Sequence, residues 1–176
     1  SYQIIPLINT ARSNPDRTGN QIYSDMKSSY HGNDLVAFGK EYKHSKECEL
    51  LKLKQLYEGV KANNKSCIVP ALTKAAEEIA TSKGQKGEID NEKPIVISQK
   101  IQKTAKLDGK VCELICLGIN NVEEIYSYFL IDDGLASRKR RRMLLDPTFK
   151  YIGIGTAKHI NYGTITVILL AERILE

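Results

Sequence analysis

The chain has 176 residues, 41% hydrophobic and 27% charged, and its 26 Lys and Arg against 21 Asp and Glu give a formal net charge of +5. A chain of this size can bury one proper core, and no apolar stretch approaches the roughly 20 residues that cross a bilayer, which excludes a transmembrane helix. Arg138, Lys139, Arg140, Arg141 and Arg142 run consecutively and account for the whole cationic excess, so the rest is neutral and lacks the broad basic face of a nucleic-acid-binding domain.

In chain order, Asn14 followed by Pro15 predicts a helix running toward Tyr30, because proline at the first helical position gives up no needed N–H. The segment HGND breaks it. From Ser45, residues Leu53, Leu56, Tyr57 and Val60 fall on one helical stripe that KANNKS ends. VPALTKAAEEIATSKG repeats the pattern, with Pro70 near its start, Leu72, Ala75, Ala76 and Ile79 on one face and Gly84 as a left-handed stop. A polar loop follows, then ISQKIQKTAKL as a short helix and Asp108–Gly109 as a turn.

KVCELICLG reads as a strand, and NNVEEIYSYFLI as a helix to Ile131, with Asn121 as cap and Glu124 three residues on. The basic run forms a short helix between Ser137, as a cap, and Pro147. KYIGIGTA and YGTITVILLAE then make a terminal antiparallel hairpin, with Ile165–Ala171 as a buried central strand. Helices gathered around three strands predict an α+β fold: an α-β-α sandwich with a three-stranded antiparallel sheet flanked by helices. One domain over residues 1–176 is expected, with 1–64 a helical part packed on it.

Cys48, Cys67, Cys112 and Cys116 show no Cys-x-x-Cys spacing and read as free thiols acting as small buried hydrophobes. On a strand Cys112 and Cys116 lie about 13 Å apart, beyond disulfide reach. His31, His44 and His159 show no metal-ligand spacing and are expected in loops or at the surface. No Gly-x-Ser-x-Gly turn is present, and the GIG of KYIGIGTA opens no helix, so neither a serine-hydrolase elbow nor a dinucleotide loop is indicated. Glu123 and Glu124, adjacent on a helix, point apart and do not form a catalytic pair.

DDGLASRKRRRMLLDPTFKYIGIG resembles the corresponding segment of the bacterial branch of the CAP superfamily: cysteine-rich secretory proteins, antigen 5 and pathogenesis-related proteins. Asp132, Asp133, Gly134, Ser137, Arg138, Arg141, Pro147, Phe149, Gly153 and Gly155 stand in register with that pattern. LINTARSNP resembles the family's opening motif, VPALTKAAEEIA its helix before the site loop, and YGTITVILLA its last strand. The resemblance implies the sandwich already read, and a cavity with two histidines and two acidic residues, in many members a divalent-metal site.

Carried over residue by residue, Gln85 and Arg140 stand where the two histidines belong, Glu113 is one acidic position, and Asp132 or Asp133 the other. A glutamine amide is a weak metal ligand, and a guanidinium has no lone pair to offer and repels a cation. The implied site is therefore degenerate, with no metal or other cofactor expected, and Arg140 is expected to pair with Glu113, Asp132 or Asp133 in the metal's place.

The resemblance, with the bias toward Lys, Ile and Asn, is similar to surface lipoproteins of spirochaetes. It implies a non-enzymatic, exported cell-surface protein, tethered to the outer membrane through a lipidated cysteine upstream of Ser1 and touching the membrane by that anchor alone. Its expected partner is a host component or a lipid, with no nucleic acid. The alternatives are a divalent-metal-dependent hydrolase or protease, and a glycosaminoglycan adhesin that uses residues 138–142.

Overall fold

In a computed structural model of the chain, residues 3–31, 34–37, 40–42, 66–132 and 137–175 are described. The helix expected from Ser45, together with Cys48, His44 and Asp133, lies outside them. The elements in chain order are α1 (Ile4–Ser13), α2 (Pro15–Lys27), β1 (Tyr30–His31), β2 (Asp34–Ala37), β3 (Lys40–Tyr42), β4 (Cys67–Ile68), α3 (Pro70–Lys86), α4 (Pro94–Ile101), β5 (Lys106–Leu117), α5 (Val122–Ile131), α6 (Lys139–Leu145), β6 (Tyr151–His159) and β7 (Gly163–Leu175). They fall into two compact units: Ser1–Ile4, Ser66–Ile125 and Asp146–Glu176 form the first, Ile5–Lys65 and Tyr126–Leu145 the second. No helix among the described residues is long and apolar enough to cross a membrane.

The first unit is built on a sheet of order β4-β6-β7-β5. The α+β class holds, but the sheet is four-stranded and mixed, which corrects the expected three antiparallel strands. β6, β7 and β5 are the antiparallel set, and Cys67–Ile68 adds a parallel edge against Tyr151–Ile152. Two residues are too few to show a period of two, so the sequence pattern carries no trace of this strand. β7 is central, and alternate residues Ile165, Val167, Leu169 and Ala171 pack with Leu72, Ala75, Ala76 and Ile79 of α3.

Two glycines of KYIGIGTA explain how close that packing is. A Cβ on Gly153 or Gly155 would overlap the backbone of Leu72 or Ala76, so α3 lies directly on β6 only because those side chains are missing. Gly84 works in the same way from the helix side, where a Cβ would overlap the Lys158 carbonyl oxygen. Gly84 is therefore a contact residue inside α3 and not its stop. The left-handed cap is Gly87, at φ +73°, whose N–H returns to the Lys83 carbonyl.

Other boundaries move for similar reasons. The expected Asp108–Gly109 turn is a bulge inside β5, where the register with β7 shifts, Gly109 takes φ +95° and Glu172 Oε2 accepts the Lys110 N–H at 2.7 Å. α4 ends at Ile101, earlier than expected, and the chain re-enters the sheet at Lys106. Asn121 caps α5 as expected, its Oδ1 accepting the Glu124 N–H at 3.0 Å.

In the second unit α2 starts at Pro15 as expected but stops at Lys27, and Tyr30–His31 opens a small antiparallel sheet of order β1-β2-β3. Thr18, Ile22 and Met26, four residues apart, make its buried stripe. α1 is legible in the sequence as a motif only, although Ile5, Ile8, Ala11 and Arg12 are all buried.

Candidate functional site

Asp132 is fully buried where α5 ends, with φ +48°, and Arg138, just before α6, also has a positive φ of +49°. Such a conformation costs an arginine about 1 kcal/mol, so the surroundings must impose it. Asp132 Oδ2 accepts the N–H groups of Arg140 at 2.9 Å and Arg141 at 3.2 Å, two first-turn donors of α6 that have no partner inside the helix. Asp132 thus caps α6 in place of Ser137. In return Arg141, itself buried, donates from Nε to the Leu130 carbonyl at 2.5 Å and from Nη2 to that of Ile131. Arg138 Nη1 donates to the Asp132 carbonyl at 2.6 Å.

Arg140 Nε lies 3.4 Å from Asp132 Oδ1, and its guanidinium stands 4.7 Å over the Tyr128 ring. Its Nη1 and Asp132 Oδ1 are buried without hydrogen-bond partners among the described residues. Burial pushes the Asp132 carboxyl above its ordinary range, and the Arg141 amide, the Arg140 charge and the Arg140 amide oppose that. Of the five cations, Arg141 is consumed by structure and Arg138 and Arg140 are half-buried, whereas Lys139 and Arg142 are exposed. The opposite end of α6 is met by Arg12, 1% exposed, whose Nη1 donates to the Leu144 carbonyl at 2.8 Å.

Glu113, in the first unit, has its own partners. Its Oε2 accepts the Glu92 N–H at 2.6 Å and the Asn91 amide at 3.2 Å, and the same amide donates to the Glu113 carbonyl at 2.8 Å. Burial raises its carboxyl above the ordinary 4.5, countered by the Glu92 N–H, the charge of Lys83 and the Asn91 amide, and Oε1 is left without a partner among the described residues. Lys83, 3% exposed, donates to the Asp90 carbonyl and lies 3.6 Å from Glu92. Its burial is legible in principle, because 72, 76, 79 and 83 continue one stripe of α3.

Gln85 is exposed in the last turn of α3, and no hydrogen bond joins it to Glu113 among the described residues. Taken one by one, these residues do not fit a divalent cation: an exposed amide, a guanidinium facing Asp132 and a carboxylate tied to a loop. Among the described residues no group of three or more His, Cys, Asp or Glu could hold a metal ion.

His159 corrects the expectation of a surface histidine. It is 2% exposed, and its Nδ1 accepts the N–H groups of Asn161 at 3.2 Å and Tyr162 at 3.3 Å. Nε2 therefore carries the proton and donates to the Glu88 carbonyl at 3.2 Å. Of the described cysteines, Cys116 is buried, Cys112 half-buried and Cys67 exposed, so the buried reading fails for Cys67, which lies on the short edge strand.

Sequence reading misses a cleft in the first unit, with a cavity volume of about 270 Å³. Ile4, Ile119, Val122 and Ile125 supply its aliphatic wall, and the end of β6 and the start of β7 supply Thr156, the exposed Lys158, Thr164 and Thr166. Gly118 N–H to the Thr164 carbonyl at 2.9 Å holds the wall to the sheet. Its lining thus combines branched aliphatic side chains, three threonines and one cation.

No family model matches the chain, and no curated protein sequence matches it. Among solved structures, an outer surface protein from Borrelia burgdorferi is similar with a TM-score of 0.51 and 18% identity, over 93% of this chain and 95% of that one. A cysteine-rich secretory protein from Staphylococcus aureus subsp. aureus Mu50 is similar with a TM-score of 0.49 and 12% identity, over 76% of this chain and 41% of that one. The chain therefore has the fold of a Borrelia outer surface protein, and at that identity the likeness is one of fold.

Proposed function

We propose that the chain is a non-enzymatic binding protein, exported and displayed at a cell surface, that holds a small amphipathic ligand such as a lipid in the cleft between the α5 start and the β6–β7 hairpin. The observation that carries this is the cleft's composition: branched aliphatic side chains together with the exposed Lys158 suit a molecule with an apolar body and an anionic head. The fold shared with an outer surface protein supports the location. The degenerate positions support the non-enzymatic reading, because Asp132, Arg140 and Arg141 hold one another and Glu113 holds a loop.

Native mass spectrometry of delipidated protein, before and after addition of an anionic amphiphile, tests this. A one-to-one adduct that Lys158→Glu and Val122→Asp weaken is expected, and no adduct at saturating ligand contradicts it. Exposed Lys139 and Arg142 favour a second reading, adhesion to a polyanion, for which heparin retention that falls steeply with salt and is lost in the Lys139→Ala, Arg142→Ala double variant is the test. Tight zinc binding would overturn both in favour of a metal-dependent hydrolase.

A further inference from the structure

The turn joining β6 to β7 presents Ile160, 67% exposed, and Tyr162, 50% exposed, at the end of a rigid support. Buried His159 takes two of the turn's N–H groups, the Ile160 N–H donates to the Gly84 carbonyl at 3.0 Å, and Gly87 leaves no room for a side chain beside Ile160. His159 also ties the turn to the carbonyl of Glu88, next to the exposed Ile89. The Tyr162 ring rests edge-on against His159, with ring centroids 5.2 Å apart, and the Ile160 side chain lies beside Gly87, so each has one face fixed by the turn and the rest open to solvent, and the ordering entropy of the pair is already spent.

We propose that this hairpin tip docks on a phospholipid bilayer, with Ile160 and Tyr162 entering the interfacial layer and Lys158 facing lipid phosphates. A tyrosine has an apolar ring and a polar end, which suits the headgroup boundary. Lys86 is paired with Glu88 at 3.8 Å, whereas Lys158 has no ion pair among the described residues. The choice of a bilayer over an apolar protein surface rests on the cleft reading: Lys158 and Thr164, one rung from the tip, line the cleft, so a docked tip brings the cleft mouth to the place where amphiphiles reside. With Lys158 as its cation, the attraction is mainly apolar and its salt dependence weak.

The chain contains no tryptophan, so Ile160→Trp places a single reporter at the tip, and Ile95→Trp, at an exposed position (62%) on α4, is the control. With phosphatidylcholine–phosphatidylglycerol vesicles, the tip indole is expected to shift to the blue and resist acrylamide quenching while the control indole does neither. Tyr162→Ser is expected to lower vesicle partitioning about tenfold. An unshifted tip indole at saturating lipid, or equal shifts at both positions, overturns the proposal. Amphiphile uptake without vesicle binding sinks docking and leaves the cleft reading intact; vesicle binding by the tip without uptake sinks the cleft reading and supports docking.

Discussion

Arg141 and Asp132 cap each other's helices: the Asp132 carboxylate takes the Arg141 N–H at the start of α6, and the Arg141 guanidinium covers the Leu130 and Ile131 carbonyls at the end of α5. What looks in the sequence like a cationic surface run is therefore partly an internal fastener. Losing the Arg141 side chain strands the Leu130 and Ile131 carbonyls and removes a positive charge near the buried Asp132 carboxylate, which keeps its two backbone donors.

Arg141→Ala is expected to destabilise the protein by about 3 kcal/mol, within the range for breaking a buried charged hydrogen-bond network. Arg141→Lys is expected to recover less than half of that, since one ammonium does not reproduce the two-pronged donation. Arg142→Ala, at an exposed position, is expected to change stability by less than about 0.5 kcal/mol. Urea unfolding of the three variants checks the order.

Gly84→Ala is expected to destabilise by about 1–3 kcal/mol, although the same change at an exposed helical site stabilises by about 1 kcal/mol. The reason is the Lys158 carbonyl, which the added methyl group would overlap. Thermal unfolding beside an exposed-site control, Gln85→Ala in the same turn, separates the steric cost from helix propensity.

Glu113 gives a pH signature. Its carboxyl is raised in the folded state, so between the ordinary value of 4.5 and the raised one the folded protein holds a proton that the unfolded chain has released. The resulting stabilisation is full below the ordinary value of 4.5 and is lost as pH rises through the raised folded value. Glu113→Gln, which keeps an oxygen for the Glu92 N–H, is expected to be more stable than the parent at neutral pH and to show a flatter stability profile above the ordinary value of 4.5. Denaturant unfolding of parent and variant from about pH 4 to about pH 8 measures both; a parent-minus-variant stability difference that rises over the same window contradicts the assignment.

His159→Ala removes the acceptor shared by two turn amides, and faster hydrogen exchange at Asn161 and Tyr162 is expected, with the α3 core amides unchanged. Equal exchange in parent and variant would mean that the strands alone hold the turn.

Much of the first unit is legible in the sequence because its determinants are local: Pro70 starts a helix, Asn121 caps one, and the β-branched run of β7 has strand length and composition. What escapes is set by partners distant in sequence. Asp132 caps a helix from eight and nine residues away, so nothing near Lys139 betrays it and Ser137 attracts the assignment instead. Gly84 and Gly87 are both credible stops, and only the position of β6 decides which is a contact and which a cap. His159 reads as a surface residue because a turn's need for an acceptor is invisible until the turn exists. The cleft escapes for the same reason, since Ile4, Ile119 and Thr166 have no common spacing.

The most direct test of the account is an NMR titration of isotope-labelled protein with an anionic amphiphile. Binding in the cleft predicts saturable shifts concentrated at Ile119, Val122, Ile125, Thr164 and Thr166, with Lys139 and Arg142 unmoved. Shifts confined to residues 139–142, or a spectrum that answers to zinc around Glu113 and not to the amphiphile, would contradict it.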